Sequence, residues 1–224
     1  MNFCKRFVMF YDFIKRTMDI ALSVFLIVLF SPVMLLTAII IRMTSSGPAL
    51  VEKTNSHMRR IGKNGKIFRL YKFRSMSVNA DYILTKDPRF KKLYNEYKKS
   101  SFKLHEDPRV TKFGRFIRKY SIDEMPQLIN VLKGEMSLVG PRPYHADEIE
   151  EQQKRYPGTH KFVVETQTVK PGITGHWQVT GRSNINFDKR IEMDALYARK
   201  KSLWMDFVII LKTPIAMISG VGAV

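Results

Sequence analysis

The sequence predicts an α+β fold, mainly helical, in which one domain is attached to an N-terminal membrane segment. Three observations carry this reading. An uncharged, apolar run extends from Ile20 to Ile41. An Asn64-Gly65 pair between extended-looking segments marks a small β-hairpin. Two later stretches set apolar residues at helical spacing among lysines and arginines. At 224 residues there is room for one compact domain beside the membrane segment, and the division falls between 1–46 and 47–224.

The chain carries 38 Lys and Arg against 20 Asp and Glu, a formal charge of +18. Such an excess points to an anionic partner: anionic membrane lipid, a phosphorylated substrate or nucleic acid. Charge alone does not choose among them. Cys4 is the only cysteine, which excludes an internal disulfide and a thiolate metal cluster. The five histidines fall in no metal-ligand spacing.

Met1 to Asp19 mixes Lys5, Arg6, Lys15 and Arg16 with Phe3, Phe7, Phe10, Tyr11 and Phe13, a composition suited to a membrane interface. The apolar run that follows is longer than a signal-peptide core and lacks a small-residue cleavage site, so retention is expected. By length it can cross a bilayer core of about 30 Å. Ser31-Pro32 stands at its centre, however, and both flanks are basic, which sets both on the cytoplasmic side. A re-entrant helix-break-helix turning at Ser31 and Pro32 satisfies both observations.

Ala49 to Met76 reads as the small hairpin. If Phe68 to Arg74 is a strand, Lys72 and Arg74 project from one face, since side chains alternate with period two, and two adjacent cations suit a diphosphate. Phe90, Leu93, Tyr94 and Tyr97 form one amphipathic stripe; Phe113, Phe116, Ile117 and Tyr120 form another. Either stripe can lie in the headgroup layer or in the core. Tyr144 to Tyr156 reads as a polar helix ended by Pro157-Gly158. A glycine-punctuated loop with Trp177, Gln178, Gly181 and Arg182 then has the character of a recognition loop. Asp188 to Lys201 is helical, and Leu203 to Leu211 is too short to cross a membrane.

The chemistry gathers between Ser121 and Tyr144. Asp123 and Glu124 precede Pro126, and a helix beginning at Pro126 uses proline where it is tolerated. The Ser121 to Glu124 spacing also fits a capping box, so local pattern alone leaves a functional carboxylate pair and a plain cap both open. Gly140-Pro141-Arg142-Pro143 then permits close backbone approach and holds one guanidinium rigidly, a group that matches phosphate geometry. A carboxylate beside it can hold a divalent metal that also binds phosphate oxygens.

SIDEMPQLINVLKGEMSLVGPRP resembles the signature of the bacterial sugar transferase family, the monotopic polyprenyl-phosphate phosphoglycosyltransferases. The resemblance extends to Tyr71-Lys72-Phe73-Arg74-Ser75-Met76, Asp107-Pro108-Arg109-Val110-Thr111, Lys170-Pro171-Gly172-Ile173-Thr174-Gly175 and Gln178-Val179-Thr180-Gly181-Arg182, covering nearly the whole chain. It implies transfer of a sugar 1-phosphate from a UDP-sugar to undecaprenyl phosphate at the cytoplasmic face of the inner membrane, an early step of cell-surface polysaccharide assembly. On that likeness Asp123 is the nucleophile of an aspartyl phosphosugar intermediate and Glu124 a ligand of Mg2+. Lys72, Arg74, Arg118 and Arg142 are candidates for the substrate phosphates, and Gln178, Gly181 and Arg182 for the nucleotide-sugar loop. A Ser-Pro break also belongs to the likeness. The insert between Ser77 and Asp107 resembles the galactose and glucose branch. Anionic lipids are expected partners and nucleic acid is not. The contrasting reading is a non-catalytic basic membrane protein that tethers anionic lipid or nucleic acid; it explains the charge but not the ordered motifs.

Overall fold

The computed structural model describes residues 3–51, 58–78, 80, 82, 84, 87–99, 104, 107–181 and 185–219. Helix α1 (Phe3–Thr44) continues through Pro32 without interruption, where the sequence predicted two helices and a break. Proline has no N–H for the Val28 carbonyl. The adjacent Ser31 hydroxyl donates to that same carbonyl at 2.8 Å, so the orphaned acceptor is satisfied and the helix goes on. Over Met9–Thr44 the helix is long and apolar enough to cross a membrane by length and composition.

Both ends of α1 are docked on the rest of the protein. Near its start, Arg16 donates to the carbonyls of Val131 and Leu132 at 2.6 and 2.8 Å. The buried Asp19 accepts from the Ser137 hydroxyl and the Leu138 N–H, both at 3.0 Å. Near its end, Ile41 is buried against Phe73 and Ile117, with Met34 and Ala38 beside them. Between these points Val24, Phe25, Val28, Leu29, Leu35 and Leu36 are exposed.

Strands β1 (Arg59–Ile61) and β2 (Ile67–Arg69) pair antiparallel, with Arg60 opposite Phe68. Asn64 and Gly65 both have positive φ, 57° and 74°, as the expected tight turn requires. The second strand stops at Arg69 rather than reaching Arg74. Its next polar groups turn to a side chain: Asn130 accepts from the Tyr71 N–H at 2.9 Å and donates to the Arg69 carbonyl at 2.6 Å.

Helix α2 (Lys91–Lys99) follows a turn capped by Asp87, and α3 (Lys112–Lys119) is capped by the Thr111 hydroxyl accepting from the Gly114 N–H at 2.9 Å. Gly114 lies so close to the Ser75 carbonyl that no side chain would fit there. The α3 stripe divides. Ile117 is fully buried, worth about 1.5–3 kcal/mol, while Phe116 is exposed beside Lys112, Arg115 and Lys119.

Helix α4 (Gln127–Leu132) leads into β3 (Ser137–Val139), which pairs parallel with β4 (Gly172–Thr174). Between them come α5 (Ala146–Arg155) and α6 (His160–Thr166); after them come α7 (His176–Thr180), α8 (Phe187–Lys200) and α9 (Leu203–Ser219). The main core gathers Phe68, Leu128, Met136, Leu138, Tyr197 and Ile209 under Leu22, Leu26 and Ile27 of α1. α9 passes Leu211 and Pro214 and exposes Trp204, Phe207, Leu211 and Ile215.

Candidate active site

The two carboxylates sit where α3 hands over to α4. Ser121 adopts the left-handed conformation, φ 55° and ψ 22°, and its side chain makes no capping bond, so the capping-box alternative does not apply. A non-glycine residue in that region costs about 1–3 kcal/mol, which the surrounding packing must offset. A single 3-10 turn, Ile122–Glu124, follows and swings Asp123 inward. Pro126 then stands at the cap of α4, as its missing N–H requires.

Asp123 is 2% exposed. The Phe73 N–H donates to its main-chain carbonyl at 2.9 Å, which registers the Tyr71–Phe73 segment against the turn. Lys72 consequently reaches both acids: its ammonium lies 2.8 Å from Asp123 Oδ2 and 3.4 Å from Glu124 Oε1. Asp123 Oδ2 is thus buried with the Lys72 ammonium as its ion-pair partner, and Glu124 Oε1 accepts a hydrogen bond from the same ammonium. Burial pushes the Asp123 carboxyl above its ordinary range, with Lys72 opposing and Glu124 reinforcing the rise. Burial acts on Glu124 as well, but Lys72, Arg142 and Arg60 outweigh it and hold that carboxyl below its ordinary range. Adjacent acids are thus driven apart in acidity, the pattern of two carboxylates with different tasks.

Arg118 donates to the Ser75 hydroxyl at 2.8 Å and faces Asp123. Burial lowers its pKa against the pull of Asp123 and Asp107. Arg142 sits on the loop after β3, where a Cβ on Gly140 would come within 2.5 Å of the Lys170 carbonyl. Burial opposes its charge, yet Glu148, Tyr144, Glu124 and Asp194 outweigh burial and raise its pKa. Lys72, Arg118 and Arg142 therefore converge on Asp123 and Glu124.

Arg74 does not join them. Its guanidinium donates to the carbonyls of Ser45, Ser46, Gly47 and Pro48, the segment leaving α1. Lys72 and Arg74 flank Phe73, which pairs with Leu50 in an antiparallel bridge, but their side chains reach different partners, the two acids for Lys72 and the segment after α1 for Arg74. Gln178 bonds the Ile173 carbonyl at 3.2 Å, within its own loop. Gly181 closes α7 through its N–H to the Trp177 carbonyl. Neither is brought to the carboxylates, and Arg182 lies outside the described residues. The loop is tied in through Trp177: its indole N–H and the Arg142 N–H both donate to Asp194 Oδ2, each at 3.2 Å. Arg190 lies over the Trp177 ring, 4.9 Å from its centroid.

Arg60, Asn130, Glu148 and Asp194 are site residues that sequence reasoning missed. Asp194 left a signal, since Phe187, Ile191 and Ala195 define an apolar helical stripe on which an acid is out of place.

A divalent cation fits this donor set in a particular way. Among the described residues no group of three or more His, Cys, Asp or Glu side chains is placed to hold an ion. The part-exposed Glu124 carboxylate, next to Asp123, fits a Mg2+ site that takes one or two carboxylates and completes itself with substrate phosphates and water.

The sequence profile of bacterial sugar transferases matches residues 10–220. An undecaprenyl-phosphate galactose phosphotransferase of Salmonella typhimurium is 41% identical over 211 residues, covering 94% of this chain and 42% of that protein. The UDP-glucose:undecaprenyl-phosphate glucose-1-phosphate transferase of Escherichia coli is 37% identical, covering 89% and 39%. The exopolysaccharide production protein ExoY of Sinorhizobium fredii is 37% identical, covering 89% and 83%. The chain thus spans about two fifths of the length of the larger relatives it matches. With a profile match over nearly its whole length, the chain belongs to the bacterial sugar transferase family.

Proposed function

We propose that the protein transfers a hexose 1-phosphate, of the galactose or glucose type, from a UDP-sugar to undecaprenyl phosphate. The observation that carries this reading is the buried Asp123 beside Glu124, bridged by Lys72 and faced by Arg118 and Arg142. The names of the galactose and glucose relatives support the substrate class.

In this mechanism a carboxylate oxygen of Asp123 attacks the sugar-proximal phosphorus, the bond to the bridging oxygen of UMP breaks, and UMP leaves. An oxygen of undecaprenyl phosphate then attacks the aspartyl phosphosugar, freeing Asp123 and giving the diphosphate-linked lipid sugar. Lys72 neutralises the attacking carboxylate's surroundings in the resting protein and follows the charge onto phosphate oxygens as they approach. Arg142 and Arg118 hold those oxygens in place. Glu124, with Asp123, would hold Mg2+, which neutralises diphosphate charge when bound.

The same reading sets α1 at the cytoplasmic face of the membrane with both flanks on one side. Its support is that Arg16 and Asp19 at one end and Ile41 at the other dock on a single body. The exposed Phe116, ringed by Lys112, Arg115 and Lys119, suits contact with anionic headgroups. The deciding experiment uses UDP-galactose and UDP-glucose labelled in the sugar. Wild type should retain label on the protein and release UMP, whereas Asp123→Asn should do neither; equal labelling of the two would refute Asp123 as the attachment point.

A further inference from the structure

The residues from Lys72 to Ser75 reach the site at two points. At one end the Lys72 ammonium lies 2.8 Å from Asp123 Oδ2, and the next N–H, that of Phe73, donates to the Asp123 carbonyl at 2.9 Å. At the other end the hydroxyl of the buried Ser75 accepts from Arg118 Nε at 2.8 Å. The segment itself is held by its neighbours: Leu50 bridges Phe73 and Val110 bridges Met76, each antiparallel. Arg118 is bound to the carboxylate turn as well, since its carbonyl accepts from the Ser121 N–H at 3.1 Å. Its side chain is therefore fixed between the segment that carries Lys72 and the turn that carries Asp123.

The main chain and the hydroxyl of Ser75 do separate things. Its carbonyl accepts from the Thr111 N–H at 3.1 Å and lies against Gly114, which joins the segment to the start of α3 whatever side chain stands there. The hydroxyl meets Arg118. Among the described residues it is the one hydrogen-bond partner of that guanidinium, and it takes the Nε–H, the donor nearest the stem. A bond at Nε fixes the plane of the fork and leaves the donors of both terminal nitrogens for an anion. An arginine side chain is rich in rotamers, and ordering it before the substrate arrives spares that cost at the moment of binding.

We infer that Ser75 is a positioning residue of the transfer site: its hydroxyl holds the Arg118 fork toward the diphosphate of the nucleotide sugar. The inference rests on the transfer reading above. Ser75 itself does not touch the substrate and acts through Arg118. It gives a task to a residue of the Tyr71–Met76 motif that the mechanism leaves idle.

The test uses the full chain in detergent micelles and a double-mutant cycle of Ser75→Ala and Arg118→Ala. UDP affinity is measured calorimetrically without turnover, kcat and KM for UDP-galactose and UDP-glucose from UMP release, and Tm for every variant. Ser75→Ala should weaken UDP and lower kcat/KM by about three- to tenfold, the size of a lost hydrogen bond. In the Arg118→Ala background the same substitution should change UDP affinity by less than about twofold, because no fork is left to orient. Ser75→Thr, which keeps the hydroxyl, should restore most of the UDP affinity. A merely structural hydroxyl would lower Tm and leave the UDP affinity of the folded protein alone. That result, or losses of equal size in both backgrounds, overturns the inference. Should Ser75→Ala fail to fold, Ser75→Cys, with similar volume and only a weak acceptor, decides on the same criteria. A wild type that binds UDP yet releases no UMP from either nucleotide sugar refutes the transfer reading, while the UDP cycle still decides the role of Ser75. A wild type that binds no UDP overturns both.

Discussion

Replacing Asp194 by Asn should stabilise the protein above neutral pH, and the size of the gain follows from the site. Asp194 is wholly buried, and burial pushes its carboxyl from an ordinary 3.8 up to about 8, against the hydrogen bonds from Arg142 and Trp177 and the charges of Arg142 and Arg190. Between those two values the folded protein holds a proton that the unfolded chain has released. Stability therefore falls as pH rises through that window, by up to about 1.4 kcal/mol per pH unit. At pH 7 the accumulated cost is about 4 kcal/mol. Asn has no charge to bury and keeps an acceptor for the two N–H donors, although its amide stands where Oδ1 already lacks a partner.

A net gain of about 1–4 kcal/mol at pH 7 to 8 is expected, a rise of roughly 2–10 °C in Tm for a chain of this size. Thermal unfolding in micelles from pH 4 to 9 measures it. Wild type should lose ground steadily to Asp194→Asn up to about pH 8, and the difference should then level off. The opposite result has a clear meaning. If the Asn variant is less stable at pH 8, Asp194 is ionised and paired with Arg142 and Arg190, and removing a buried partner is costing about 3–5 kcal/mol.

Arg74→Lys should lower stability by about 1–3 kcal/mol, since four carbonyls lose their donor fork; the KM for UDP-sugar should hardly move in the folded fraction, and a selective KM effect would return Arg74 to the phosphates. Ser31→Ala should destabilise by about 1–2 kcal/mol by leaving the Val28 carbonyl bare, whereas in a Pro32→Ala background the same change should cost little; equal costs in both, by thermal unfolding, would refute the pairing. Gly140→Ala should prevent the β3 loop from closing on Lys170, read as lost UMP release with a lowered Tm.

The sequence displayed the elements with local causes. The Asn64-Gly65 turn, the proline start of α4 and the amphipathic stripe containing Ile117 each follow from residues a few positions apart. It hid what depends on partners distant in the chain. Period two set Lys72 and Arg74 together for a diphosphate, because nothing local reveals that the carbonyls after α1, 26 to 29 residues earlier, engage the Arg74 guanidinium. Ser31 was legible only as part of a break, since its capture of the Val28 carbonyl is a choice of rotamer. Arg60 carried no motif at all; its position emerges only once the hairpin is fastened to Tyr144.

The apolar helix is joined to the chemistry at both of its ends. At the far end Arg74 grips the four carbonyls that leave α1, and two residues earlier in the same segment Lys72 holds Asp123 and Glu124. At the near end Arg16 caps α4, the helix that follows the carboxylate turn, and Asp19 bonds the first residues of β3, the strand that presents Arg142. A tilt of α1 relative to the body would therefore strain both the lysine side and the arginine side of the site. In the transfer proposed above, whose acceptor phosphate would lie at a headgroup plane, α1 would then be both the element in contact with lipid and the one that fixes how far Asp123 stands from that plane.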